Sequence, residues 1–139
     1  MNWTLEVVVV PVSDVDHAKA FYAEQLGFTV DHDTTISEGN RVVQRTPRGS
    51  GCSIVVGEGV VPHMAPGSLQ GLQLVVPDIR VAHVQLVERG VQVSEIQAVD
   101  GDPDRVARGG EAVDNVGFVF FNDPDGNGWA VQQISARGE

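Results

Sequence analysis

Cysteine is nearly absent. The single Cys52 has no partner for an internal disulfide and no second thiolate for a zinc site, which fits a reducing cytoplasm. Basic residues are scarce as well: 9 Lys and Arg stand against 19 Asp and Glu, for a formal net charge of −10. Phosphate surfaces attract Lys and Arg and repel such a surplus of carboxylates, which argues against nucleic acid or an anionic membrane as the main partner. No apolar run approaches the roughly 20 residues of a membrane-spanning helix. The opening MNWTLEVVVV lacks the basic flank and small-residue cleavage site of a signal peptide, so an unprocessed cytoplasmic protein is expected. At 139 residues the chain suffices for one core, or for two very small modules sharing one. The partners left are a small molecule and a second copy of the chain.

What the chain does contain is a duplication. VSDVDHAKAFYAEQLGFTV from Val12 resembles VPDIRVAHVQLVERGVQV from Val76, with Asp14 on Asp78, Ala18 on Ala82 and, after one lost residue, Gly27 on Gly90. TPRGSGCSIVV from Thr46 lies on DPDGNGWAVQQ from Asp123, with Pro47 over Pro124 and Gly51 over Gly128. Two matches in the same order point to a repeated unit rather than to the recurrence of Gly and Pro in turns. Each half reads as strand, helix, then several strands. Leu5 to Val12 is rich in β-branched residues, and Ser13 or Asp14 caps a helix that ends near Gly27, with Val15, Ala18, Phe21, Tyr22 and Leu26 as its buried stripe. The second half repeats this with a strand from Leu72 to Val76, a helix from Asp78 to Arg89 and Gly90 as its stop. The two Gly- and Pro-containing turns lead into strands Cys52 to Val56 and Trp129 to Ile134.

The expected fold is therefore α+β, two βαβββ modules in one domain over residues 1–139, the first about 3–60 and the second about 70–135. Alternation separates the strand faces. Val8, Val10, Val12, Ile54, Val56, Leu72, Leu74, Val76, Trp129 and Val131 pack under the helices. Val7, Val9, Pro11, Ser53, Val55, Gly71, Gln73, Val75, Ala130 and Gln132 form the other face, whose small side chains and two amides suit a hollow between half-sheets curving towards one another.

The signatures VVVVPVSDVDHAKAFYAEQLGF, LQLVVPDIRVAHVQLVERGV and FNDPDGNGWAVQQ resemble the vicinal oxygen chelate superfamily, the glyoxalase, bleomycin-resistance and extradiol-dioxygenase group. That resemblance implies a cup-shaped mixed sheet and commonly a homodimer. It also implies a divalent metal in the cup, held by His, Glu or Gln from equivalent strands, acting as a Lewis acid on substrate oxygens. Placing the motifs on the family pattern puts the ligand positions at Val7, Ser53, Gly71 and Ala130, none of them a metal-ligand type. The reading is thus a small-molecule binder akin to proteins that sequester bleomycin, with no cofactor expected and with Gln73, Gln132, Val7, Val9, Ser53, Val55 and Ala130 as ligand-binding residues. The alternatives are a glyoxalase-like metal-dependent lyase, isomerase or dioxygenase with displaced ligands, and metal-free catalysis by Asp114 or another carboxylate.

The remaining polar groups carry weaker expectations. His17 and His83 fall on helix surfaces. His32 with Asp31 and Asp33 is a chemically feasible ion site, though a polar turn explains the run more simply, and His63 lies in an irregular stretch. Cys52 reads as a buried thiol. The stretch Gln97 to Asn115 is long enough to serve as a lid or as a mobile excursion, and Arg105 and Arg108 would draw an anion if it folded over. Arg41, Gln44 and Arg45 lie on a probable strand of uncertain facing.

Overall fold

A computed structural model describes residues 3–59 and 63–135; Val60, the last residue of the expected first module, lies outside them. The elements run β1 (Val7–Val9), α1 (Val15–Ala20), β2 (Thr29–Ser37), β3 (Asn40–Thr46), β4 (Ser53–Glu58), β5 (Leu72–Val76), α2 (Ile79–Glu88), β6 (Gln97–Ala98), α3 (Pro103–Arg108), β7 (Gly117–Asn122) and β8 (Gly128–Gln133). They form two four-stranded mixed sheets ordered β1-β4-β3-β2 and β5-β8-β7-β6. In each sheet the first strand lies parallel to the last, and the other neighbours are antiparallel. This is the βαβββ pattern twice over. The chain divides into two compact units: the first runs to Leu69 and takes in Asp123–Asn127, and the second comprises Gln70–Asn122 and the strand that starts at Gly128.

The two repeated helices, α1 and α2, each start on an aspartate. The Asp14 carboxylate accepts from His17 N, and Asp78 accepts from Arg80 N and Val81 N, so orphan N–H groups of each first turn are satisfied. α1 continues into a π-helical turn over Phe21–Gln25, and Gly27 at φ 72° then reverses the chain, as Gly90 does at φ 81° after α2. The first core lies between α1 and the sheet: Val15, Ala18, Phe21, Tyr22, Val43, Ile54 and Val56 are buried. In the second unit Ile79, Val119, Phe121, Trp129 and Val131 play the same part.

Several boundaries differ from those expected. β1 is shorter than Leu5 to Val12, although the ladder continues one bond further through Ser53 N to Glu6 O at 2.8 Å. The acidic run around His32 is strand rather than turn, because β2 pairs with β3 along its length, with register irregularities at Asp31 and Ile36. Residues 97–115 are not a structureless excursion. They hold β6, α3 and a 3-10 turn over Gly110–Val113, with Asp102 as the N-cap and Pro103 opening α3.

Candidate ligand-binding faces

Residues paired across a ladder project from the same side of the sheet, so the register assigns each side chain to a face. In the first unit one row runs across all four strands: Val9 opposite Val55, Val55 opposite Gln44, and Gln44 opposite His32. Val7 and Ser53 form the neighbouring row, where Ser53 Oγ lies 2.6 Å from Thr46 Oγ1. Val7 and Val9 are half-buried, while Ser53 and Val55 are buried. Thr46 donates its one proton to Asp31. It can then only accept from Ser53, whose hydroxyl proton is thereby committed.

In the second unit one row runs Gln73, Ala130, Phe120, and the next runs Val75, Gln132, Phe118, Gln97. Gln73 and Phe120 are exposed; Ala130, Gln132 and Phe118 are half-buried. The Phe118 and Phe120 rings are nearly parallel, at 7° with centroids 5.9 Å apart. Gln132 Nε2 donates to the Asn115 main-chain carbonyl at 2.8 Å, and Gln73 Nε2 donates to Gln132 Oε1. A cavity of about 350 Å³ opens at this end of the sheet, over Gly71, Phe120 and Ala130, with Gln70, Gln92 and Gly128 among its walls. Its size falls within the range of small-molecule sites.

Sequence parity did not reveal three polar groups on the first face: His32, Gln44 and Thr46. The signal was weak because β2 carries almost no apolar alternation, so its register only emerges from pairing with β3.

The opposite faces absorb most of the remaining charged candidates. Asp33 lies opposite Val43 on the α1 side, where Arg41 Nε and Nη2 reach its two oxygens at 3.0 and 2.9 Å and Lys19 adds a further ion pair. Arg41, and after it Lys19, hold the Asp33 carboxyl well below the usual carboxylate range. Arg41 also grips Asp16 of α1 at 2.7 Å. Asp31, His32 and Asp33 therefore do not converge. Arg45 is buried on the same side, and its Nε and Nη1 have no hydrogen-bond partner among the described residues. Burial pushes its pKa down, against the pull of the Asp33 and Asp31 charges.

Asp114 also faces away from the open sheet surface. It accepts from Gln133 Nε2 at 2.9 Å and from Ser135 N at 3.1 Å, with the Ser135 hydroxyl on its other oxygen. The Ser135 and Gln133 hydrogen bonds lower its pKa, which leaves a poor general base. The buried Gln133 carboxamide ties this corner together, accepting from Ile79 N and donating to Gly110 O. Arg80 of α2 donates to the Val106 and Ala107 carbonyls, so α3 is fastened to the helix side. Arg105 is engaged by Asp100 and Asp102. The segment is thus ordered and held within its own unit, rather than a mobile excursion, and Arg105 is engaged inside it.

The sequence profile of the Glyoxalase/Bleomycin resistance protein/Dioxygenase superfamily matches residues 4–131. The chain belongs to this superfamily. No curated protein matches it by sequence. Among solved structures, it is similar to TnmS3, an antibiotic binding protein from Streptomyces sp. CB03234, with 33% identity, TM-score 0.75, and 96% of this chain and 98% of that chain covered. A glyoxalase/bleomycin resistance protein from the same Streptomyces shares 32% identity at TM-score 0.71, over 94% of this chain and all of that one, at 100%. A superfamily member from Sphaerobacter thermophilus DSM 20745 shares 26% identity at TM-score 0.73, over 95% and 98% of the two chains.

The four positions at which the family resemblance implies ligands to a divalent ion are poor in donors. Of Val7, Ser53, Gly71 and Ala130, only Ser53 offers a side-chain oxygen, and its proton already serves Thr46. Register adds a detail: Ala130 lies opposite Gln73, whereas Gly71 stands beyond the paired strand β5. Among the described residues, no group of three or more His, Cys, Asp and Glu is placed to hold a metal. No helix among them is long and apolar enough to cross a membrane.

Proposed function

We propose that this superfamily member binds a small, largely aromatic molecule of antibiotic type without a metal ion. The observation that carries the reading is the chemistry of the second unit's open face: a parallel phenylalanine pair and two oriented amides share that face with Ala130, and Phe120 and Ala130 line a cavity of about 350 Å³. Rings supply dispersion and stacking, and amides supply direction, the usual division of labour in small-molecule sites. The likeness to TnmS3, an antibiotic binding protein, supports the same class of ligand. A homodimer in the cytoplasm goes with this reading, and light scattering at twice the 14.8 kDa chain mass would reveal the dimer.

Thermal unfolding of chelator-treated protein against a panel of aromatic antibiotics tests the proposal. A ligand at 100 times its Kd stabilises the folded state by about 2.7 kcal/mol, a rise of roughly 5–10 °C for a domain of this size. A panel without any stabilising compound, together with catechol or methylglyoxal-adduct turnover that chelation abolishes, would replace binding by metal-dependent catalysis.

A further inference from the structure

We infer that Gln73 is a specificity-determining residue: its amide is held with the carbonyl outward, so the second unit's face selects flat aromatic ligands that carry an N–H or O–H donor. This deepens the binding reading above and rests on it.

The direction of the amides follows from one end of the chain of hydrogen bonds. The Asn115 main-chain oxygen can only accept, so Gln132 must turn its NH₂ towards it, at 2.8 Å. Gln132 then presents Oε1 to Gln73, which must answer with its own NH₂. Reversing either amide sets two donors or two acceptors against each other and loses a hydrogen bond, which fixes the orientation of both. Gln73 Oε1 is left with no partner among the described residues and carries the acceptor capacity of the row.

Its surroundings make that oxygen usable. Gln73 and Phe120 flank Ala130 in one cross-strand row, two strand spacings apart, or about 10 Å. The Ala130 methyl leaves the space between them open. Phe120, 40% exposed, offers its ring on one side and lines the cavity together with Ala130, and Gln73 lies exposed on the other side of Ala130. A fused-ring molecule lying over Ala130 places one edge at the Phe120 ring and the other at Gln73 Oε1. An acceptor on that second edge would meet the oxygen lone pairs, whereas a donor would complete the hydrogen bond.

Carbazole and dibenzofuran share one shape and differ in a ring N–H against a ring oxygen, so their fluorescence titrations into the full chain read this preference directly. Wild type is expected to bind carbazole about ten times more tightly, the value of one hydrogen bond. Gln73→Leu should bring the ratio to within about twofold while keeping dibenzofuran affinity. Gln132→Leu, which leaves Gln73 in place but frees it to turn, should also shrink the ratio. Phe120→Ala should weaken both probes alike. Equal affinities in wild type, or a ratio untouched by Gln73→Leu, would overturn the inference. If neither probe binds but a panel antibiotic does, the selectivity inference fails and the binding reading stands. If nothing binds, both fail.

Discussion

Asn127→Ala should destabilise the protein by about 2–4 kcal/mol, far more than the loss of one polar side chain from an ordinary turn. Asn127 is fully buried. Its Nδ2 donates to the Pro11 carbonyl and to Asp123 Oδ2, both at 2.8 Å, and its Oδ1 accepts from Leu69 N at 3.1 Å. Truncation orphans the Leu69 N–H, at the low end of about 1–3 kcal/mol for a half-buried group. It also takes one of two donors from the buried Pro11 oxygen, which keeps Gly67 N at 3.1 Å, for a further loss of about 0.5–1.5 kcal/mol. Asp123 Oδ2 suffers less, since Tyr22 OH still donates to it at 2.7 Å. Tyr22→Phe should accordingly cost about 1.5–3 kcal/mol, the worth of a hydrogen bond to a charged group. The double variant strips both donors from one oxygen of a buried carboxylate, so its loss should exceed the sum of the two single losses by about 1 kcal/mol. Urea denaturation supplies all three values, provided the m-value stays constant. A loss below about 1 kcal/mol for Asn127→Ala, or additivity within about 0.5 kcal/mol, would mean that Asn127 and Tyr22 do not jointly satisfy the buried Asp123 carboxylate.

Two further predictions concern the α1 side of the first sheet. The Asp33 carboxyl is held below its ordinary value of 3.8 by Arg41 and then Lys19, so its stabilising effect is complete above that pH and fades as pH falls below it. Asp33→Asn should flatten that acid limb in a pH series of unfolding midpoints, by at most about 1 kcal/mol for so accessible a pair; an unchanged limb would remove Asp33 from the account. Arg45→Met should raise stability by about 1–3 kcal/mol, because a buried cation with unsatisfied Nε and Nη1 is replaced by an apolar chain of similar length. A clear loss in denaturant would mean that a bound partner satisfies the guanidinium.

The sequence was readable wherever a residue type has one local use. Aspartates before α1 and α2 and glycines after them marked those helix limits, and apolar alternation marked β5 and β8. The same alternation sorted Gln132 from Gln133, whose neighbouring amides serve opposite sides of one strand. It failed on β2, where DHDTTIS has no apolar period and strand formation depends on pairing with β3 and on salt bridges to Arg41 and Lys19. It failed again on α3, whose Asp102 and Pro103 are a legitimate helix start hidden in a run of turn-forming residues. The DPDGN turn was legible as a turn. Its buried Asp123 and Asn127, which join the first unit through Pro11, Tyr22 and Leu69, were not, since those contacts are distant in the chain.

The same protein, stripped of divalent ions and then resupplied with zinc, offers the sharpest comparison. Calorimetric titration with the best antibiotic of the panel should give one affinity, unchanged within about twofold, in both states, because aromatic and amide groups make the contacts. Binding that vanishes on chelation and returns with the ion would contradict the account at its centre.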